Sequence, residues 1–314
     1  MKFKHFLSAF LLFIFATLSN SQMLPEEVEP EVSSDSLTIQ QKVTDTIYFH
    51  YEFHPGDTLV YVVHTNDSLI HNFDEPIKKQ REEKIMITCD SVDSIGNFHL
   101  IYQTLSLLQK EWKDSKDTVE RTSSPWIGRK MKLVIDSLGN RLQSISLDSM
   151  HIAASLGGSF QPYLFFPIQN SSSELGKSWL VQSSDTLVEN AFPPAKITQT
   201  SLFRAKEKII IPQDTVSFIS FVKTAKGIYG FQTNDISVSV QNVMNIYGEL
   251  QISLKFFVPS VYFVTQEEKL LFIMDDGSKI PAWHYSTTTF ELQTLSRFSE
   301  NQNKKEKNKN NKKK

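Results

Sequence analysis

Cysteine is almost absent from this 314-residue chain, which contains only Cys89. One thiol cannot form an internal disulfide, so stability must come from a hydrophobic core, and the chain is long enough to build one. In the run 85–89 the cysteine falls on the same strand face as Ile85 and Ile87. This alternation predicts that Cys89 is a buried apolar side chain and not a nucleophile.

Motifs for catalysis and cofactor binding are also missing. The sequence contains no Gly-x-Ser-x-Gly, no His-Glu-x-x-His and no glycine-rich phosphate loop. His50, Glu52 and His54 share one strand face, but alternate strand residues lie about 6–7 Å apart, and we expect these three to face solvent. The pair Asp275-Asp276 precedes Gly277 and is interpreted as part of a turn. The sequence therefore predicts no catalytic residue, no metal site and no cofactor, and favours a non-enzymatic protein.

Long hydrophobic runs are limited to the start of the chain. Residues 6–16 form an apolar stretch that follows Lys2 and Lys4 and precedes small and polar residues. The stretch is shorter than the about 20 residues that a membrane-spanning helix requires. Its pattern is typical of a secretory signal peptide, here residues 1–22, without a cysteine for a lipid anchor. We expect an exported protein, located in the periplasm or at the cell surface.

Charge is unevenly distributed, although the formal net charge is only −2. Seven lysines and one glutamate give residues 304–314 a charge of +6, and Lys2 and Lys4 add +2, which leaves −10 for the rest. An acidic body disfavours nucleic acid as a partner. Residues 23–44 lack aromatic side chains and are interpreted as a disordered linker. The Lys/Asn-rich tail, 299–314, is also expected to be disordered, and is either a solvated end or a segment that binds anionic envelope surfaces.

Alternation of apolar and polar residues dominates the body of the chain. Ile47, Phe49, Tyr51 and Phe53 alternate with His50, Glu52 and His54, and similar strand patterns recur up to residue 295. Glycine supplies the positive φ that tight hairpins need. Four such turns are expected, at Gly96, Gly139, Gly248 and Gly277.

These patterns predict a mainly β fold. We expect two lobes of antiparallel, hairpin-connected sheet, at residues 45–146 and 176–298, each a curved sheet, a sandwich or a half-barrel. Residues 147–175 are interpreted as one short central helix, 149–156, followed by a connecting loop. The two lobes begin and end with similar residue patterns, so an internal duplication and two unrelated lobes both stay open.

Aspartate is followed directly by Ser or Thr in twelve of its sixteen occurrences. The structural explanation is that Asp side chains hydrogen-bond nearby backbone and favour turns. Eleven of the triplets, in which an aliphatic residue or Met comes next, also resemble the O-glycosylation acceptor of exported proteins in one Gram-negative lineage. The candidate acceptors are Ser36, Thr46, Thr58, Ser68, Ser91, Ser94, Thr118, Ser137, Ser149, Thr186 and Thr215.

A short motif gives one family resemblance. Phe166-Pro167 followed by the run 175–179, Leu-Gly-Lys-Ser-Trp, resembles an apolar-Pro and Gly-x-Ser/Thr-Trp motif of uncharacterised exported β-rich proteins of Gram-negative bacteria. The resemblance covers about residues 160–290 and implies a curved antiparallel sheet similar to that of periplasmic lipid carriers.

Three functions stay open at this point. The leading interpretation is an exported, non-enzymatic envelope protein that binds an apolar small molecule or lipid between its β lobes. The second is a structural or surface-displayed glycoprotein. The third is an unrecognised hydrolase, for which an exposed cleft with a histidine and a carboxylate in contact would be the structural mark.

Overall fold

Extended strands dominate the protein, whose structure is a computed structural model. The structure describes residues 46–113, 118–124, 127–147, 164–165, 167–168, 172–189, 192–212, 214–232 and 237–297. The strands in these ranges are β1 (Thr46–Tyr48), β2 (Thr58–His71), β3 (Ile77–Val92), β4 (Phe98–Trp112), β5 (Thr118–Arg121), β6 (Lys130–Ile135), β7 (Arg141–Ser146), β8 (Ser172–Glu174), β9 (Ser178–Glu189), β10 (Phe192–Ile211), β11 (Asp214–Gln232), β12 (Ser237–Ser253), β13 (Pro259–Met274) and β14 (Lys279–Ser296).

Twelve of these strands form one sheet. Its order is β7-β6-β4-β3-β2-β14-β13-β12-β11-β10-β9, with β5 also paired to β4, while β1 and β8 form a separate two-stranded sheet. Neighbouring strands in both sheets are antiparallel, which confirms the expected mainly β, antiparallel fold class.

The segments predicted as two lobes are the two halves of this sheet. They join where β2 pairs with β14, from Thr58 opposite Ser296 to His71 opposite Ala282. At the other side, Cα atoms of the edge strands β7 and β9 come within 8 Å of each other, and no ladder joins them in the described residues. The sheet therefore curls, and it has an inner and an outer face.

The predicted helix at 149–156 lies outside the described residues. So do the predicted signal peptide, 1–22, the linker, 23–44, and the tail, 299–314. The described ranges contain no helix, and hence none that is long and apolar enough to cross a membrane.

A segment after β1 packs inside the curled sheet. Strand pairing ends at Tyr48, so the strand predicted over 47–53 is shorter than expected. The backbone of residues 51 and 52 instead donates hydrogen bonds to the carbonyls of Ser137 and Phe257, at 2.7 and 3.1 Å, which lie in two different loops. Phe49, Tyr51 and Phe53 are buried, and the Phe49 ring stacks 5.6 Å from Trp179. These side chains fill one end of the inner face together with apolar residues of ten strands of the sheet.

Three of the four predicted glycine turns are confirmed. Gly96, Gly139 and Gly277 have φ between 79° and 89° and lie in the hairpins β3–β4, β6–β7 and β13–β14. The turn predicted at Gly248 is wrong, because this residue lies within β12. A Cβ atom there would meet the Phe263 carbonyl oxygen at 2.1 Å. Close packing, and not a turn, is the reason for this glycine.

Candidate functional site

The middle of the inner face is lined by buried polar side chains. Alternate residues of a strand share a face, and the register places Ser286 opposite both Asp67 and Gln266. The residues of the main core lie on one side of these polar side chains, and a second apolar cluster lies on the other side. The second cluster consists of Val238, Val240, Leu270 and Ala282, with Leu69, Phe272 and Met274 packed against them. We call the polar set the polar band; its members are Thr65, Asp67, Arg81, Glu83, Ser201, Lys223, Asn242, Gln266, Glu268, His284, Ser286 and Thr288.

A chain of ion pairs and hydrogen bonds runs along the polar band. Arg81 Nε donates to Asp67 Oδ2 at 2.9 Å, and His284 Nε2 lies 3.0 Å from Asp67 Oδ1. The other ring nitrogen, His284 Nδ1, lies 3.7 Å from Glu268 Oε2, an ion-pair distance longer than a hydrogen bond. Asn242 Nδ2 donates to Glu268 Oε1 at 2.6 Å. Four strands, β2, β3, β13 and β14, thus contribute charged groups to one buried network.

The pKa shifts of His284 and Asp67 follow from this geometry. Burial alone would lower the pKa of His284, but hydrogen bonds and negative charge from Asp67 and Glu268 outweigh it and raise the pKa above its ordinary value. Burial would likewise raise the pKa of Asp67, but His284 and Arg81 hold it below its ordinary value. The network therefore places two basic side chains, His284 and Arg81, against two acidic ones, Asp67 and Glu268.

This arrangement argues against acid–base catalysis by His284. A histidine in contact with a carboxylate was the expected mark of a hydrolase, and Ser286 lies on the same face of β14. However, both ring nitrogens face carboxylates, and His284 and Asp67 are buried and not in an exposed cleft. With a carboxylate at each ring nitrogen, His284 offers neither nitrogen to a serine hydroxyl as a proton acceptor.

Lys223 is a third basic residue of the polar band, beside Arg81 and His284. Its Nζ lies 4.6 Å from the centroid of the Phe221 ring and 5.7 Å from that of Phe203, and only 4% of the residue is exposed. Burial lowers the pKa of this amine to about 7. The favourable ring contacts do not offset the loss of water around the ammonium group. The lowered pKa means that the fold disfavours the charged form of this amine.

In the polar band, Ser286 and Asn242 each have a buried polar atom, Oγ and Oδ1, with no hydrogen-bond partner among the described residues. The two residues are 4% and 6% exposed. Gly227, which pairs with Asn242, leaves room for that amide, because a Cβ there would lie 2.3 Å from Asn242 Oδ1. Unpaired buried polar groups cost free energy, and a bound polar ligand would remove that cost.

The candidate metal ligands and the cysteine that the sequence analysis considered lie outside the polar band. His50, Glu52 and His54 are partly or fully exposed, with His54 Nε2 3.4 Å from Glu52 Oε1. No cluster of three or more metal-ligating side chains occurs in the described part of the chain. Cys89 is buried, as predicted, and burial together with the charges of Asp57 and Asp90 raises the pKa of its thiol to about 12.

The Asp275-Asp276 pair belongs to the β13–β14 turn. Asp276 Oδ1 accepts a hydrogen bond from the Ser278 backbone at 2.8 Å. Hydrogen bonds from Ser278 hold the pKa of Asp276 below its ordinary value. This is the turn role expected from the sequence.

One buried ion pair had no signal in the sequence. Arg297 Nη1 contacts Asp57 Oδ2, and Arg297 Nη2 donates to the Phe256 carbonyl at 2.6 Å. Asp57 is fully buried and also accepts from the His54 backbone at 2.8 Å. The pair fixes the end of β14 to the turn before β2, and its members are 240 residues apart in sequence.

The candidate glycosylation sites fall into distinct environments. Ser94 and Ser137 are exposed at the tips of the β3–β4 and β6–β7 hairpins, and Thr46 and Thr118 are exposed on short strands. Four candidates are partly buried on strands of the sheet: Thr58, Ser68, Ser91 and Thr215. Thr186 lies on β9, and Ser36 and Ser149 lie outside the described residues.

The hairpin tips at Ser94 and Ser137 have the same construction. Asp93 Oδ1 accepts from the backbone of residues 95 and 97 at 3.1 and 2.8 Å, and Asp136 Oδ1 accepts from residues 138 and 140 at 2.9 Å each. A side-chain amide, Asn97 or Asn140, completes each turn. In these two triplets the aspartate builds the turn and leaves the serine at the surface.

Comparisons with known proteins show no family for this chain. No family model matches the chain, and no curated protein matches it. Among solved structures it is similar to a loop deletion mutant of OmpT, an outer membrane protein of Vibrio cholerae, with a TM-score of 0.20 and 7% identity over 76% of this chain and 99% of that one. OccK5 (OpdH) of Pseudomonas aeruginosa gives the same TM-score, identity and coverage. A likeness at this level supports no conclusion about fold or location.

Proposed function

We propose that this is an exported, non-enzymatic envelope protein that binds an amphipathic ligand on the inner face of its curled sheet. The observation that carries the proposal is the polar band between two apolar clusters. Ligand-binding faces are mostly apolar with a few placed polar groups. The second cluster would hold the apolar part of the ligand, and Ser286 and Asn242 offer buried polar atoms to its head group. The signal-peptide pattern of residues 1–22 supports an exported location.

A matched pair of substitutions on β13 tests this proposal. Phe272 packs against the second cluster on the inner face, and Phe263 is 41% exposed on the outer face. We expect the purified protein to bind a fluorescent long-chain fatty acid, and Phe272→Ser to weaken binding about tenfold, since burying a Phe contributes about 1.5–3 kcal/mol. Phe263→Ser is the control and should bind as the wild type does. Absence of binding, or equal binding by both variants, would contradict the proposal.

A second candidate function is that of a surface glycoprotein, favoured by the exposed serines of the two matching hairpin tips. Sugars attached at Ser94 and Ser137 would point into solvent and increase solubility. The test is the intact mass of the protein from its own host. Ser94→Ala with Ser137→Ala should remove mass, whereas Ser91→Ala, a partly buried control on β3, should not. A wild-type mass equal to that of the bare mature chain would reject this function.

A further inference from the structure

The outer face of strands β9 to β12 carries an open hollow of about 650 Å³. Most of its lining residues occupy outward-facing positions. Ser183, Gln199 and Ala225 also line the hollow and alternate with these residues along the strands. The outward-facing lining residues are Gln182, Ser184, Thr198, Thr200, Thr224, Lys226, Val243 and Asn245.

The register of the strands arranges this lining in rows. Gln182, Thr200, Thr224 and Asn245 are consecutive cross-strand neighbours from β9 to β12. Adjacent strands lie about 4.8 Å apart, so amide and hydroxyl groups repeat at that spacing across the sheet. The lining contains one cation, Lys226, and no carboxylate. The hollow thus offers neutral hydrogen-bonding groups in a line, which suits a ligand with many hydroxyl groups.

An exposed apolar row runs beside this polar row. Leu180, Leu202, Val222 and Tyr247 are again consecutive neighbours from β9 to β12. Their exposed fractions are 58%, 49%, 57% and 46%. Contiguous apolar side chains bordered by polar ones mark interaction surfaces. Tyr247 also combines an apolar ring with a hydroxyl group.

From these two rows we infer that the hollow binds a neutral oligosaccharide that lies across strands β9 to β12. A sugar chain has hydroxyl groups at its edges and C–H groups on its ring faces, and the polar and apolar rows match these two kinds of surface. The lack of carboxylates in the lining and the single lysine favour an uncharged chain over a polyanion or a polycation. This site is on the opposite face from the polar band and does not depend on the proposed function.

The inference is tested by calorimetric titration of the full mature protein with two neutral hexasaccharides, one of glucose and one of N-acetylglucosamine. We expect at least one to bind, and the double variant Gln182→Ala, Asn245→Ala to bind it about tenfold more weakly, because each lost hydrogen bond has a modest net effect. Leu202→Ser should also weaken binding. Asn66→Ala, an exposed amide on β2, is the matched control and should bind normally.

Two results would overturn the inference. One is no binding of either hexasaccharide by the wild-type protein. The other is binding that the double variant retains at wild-type strength, provided that circular dichroism shows the variant to be folded. Thr224→Val, which keeps the shape of the side chain and removes only the hydroxyl, provides a second test if the double variant fails to fold. If Thr224→Val binds the hexasaccharide with wild-type affinity, that result also contradicts the inference.

Discussion

At the scale of the residue, the polar band is where side-chain chemistry departs most from that of an ordinary core. Lys223 lies against two phenylalanine rings with its pKa lowered to about 7 by burial. His284, by contrast, is held between Asp67 and Glu268, which raise its pKa against the effect of burial. At low pH, Lys223 therefore lowers the free energy of unfolding, and His284 raises it. The two effects can be separated by their pH dependence.

The first prediction concerns Lys223→Met. Since the folded-state pKa is lowered, the unfolded chain binds more protons than the folded one between about pH 7 and 10.5, and stability rises with pH across that window. Below about pH 7 the cost is complete, so Lys223→Met should stabilise the protein at pH 6, by at most about 5 kcal/mol at about 1.4 kcal/mol per pKa unit. The gain should shrink towards pH 10. Urea unfolding at pH 6, 8 and 10 measures it, and a destabilised variant at every pH would contradict the assignment.

The second prediction concerns His284→Gln. A raised folded-state pKa means that the contribution of His284 is complete below its unfolded pKa of about 6.5 and is lost as the pH rises through the folded value. The substitution should therefore lower the free energy of unfolding most below about pH 6.5, by about 3–5 kcal/mol for a broken buried pair. The loss should decline at higher pH. Equal losses at pH 5.5 and pH 9 in denaturant titrations would show that folding does not raise the pKa of His284.

At the scale of the element, the segment after β1 defines how the inner face is filled. Residues 49–54 pair with no strand, yet three of their aromatic side chains are buried. Tyr51 and Phe53 pack edge-on against Phe165, at 5.3 and 5.5 Å between ring centroids. The segment thus connects the sheet to residues 164–165 and 168, which are also buried in the main core.

The third prediction tests this segment. Phe49→Ala should lower the free energy of unfolding by about 3–5 kcal/mol, because it leaves a cavity beside Trp179. Tyr48→Ala removes a neighbouring aromatic ring that is 64% exposed and should change stability by less than about 0.5 kcal/mol. Chemical denaturation of both variants provides the comparison. Similar small effects would mean that the segment does not belong to the core.

The strands could be predicted from the sequence, whereas the polar band could not. Two-residue alternation depends only on local positions, so it indicated the antiparallel strands and the burial of Cys89. Gly248 was misread because a glycine required by the Phe263 carbonyl of a neighbouring strand looks the same as a turn glycine. Asp67 and His284 are 217 residues apart, and only the pairing of β2 with β14 brings them together. Local alternation carries no information about such distant pairs.

At the scale of the whole molecule, the two segments that the sequence suggested as lobes are the two halves of one curled sheet. Both halves contribute to one inner face, and the outer face of β9 to β12 carries a different combination of polar and apolar rows. The protein therefore offers two chemically distinct surfaces. The Lys/Asn-rich tail adds a third feature, a block of positive charge on an otherwise acidic chain.

The fourth prediction concerns this tail. Deleting residues 299–314 should leave the melting temperature within about one degree, because a segment without apolar residues after Phe298 cannot add to a core. Binding to vesicles that contain anionic lipid should fall on deletion and with added salt, since each lysine near such a surface contributes about 1 kcal/mol before screening. A large drop in melting temperature would show that the tail packs on the body. Vesicle binding that is unchanged by the deletion would show that another part of the chain binds the anionic surface.

The most direct test of the central claim is native mass spectrometry of the protein isolated from the envelope of its own host, before and after organic extraction. We expect an adduct that carries an acyl chain or another apolar group, is released by extraction, and is diminished in Phe272→Ser but not in Phe263→Ser. A protein that carries no ligand in its native envelope, and that takes up none from extracted envelope lipids, would contradict ligand binding on the inner face.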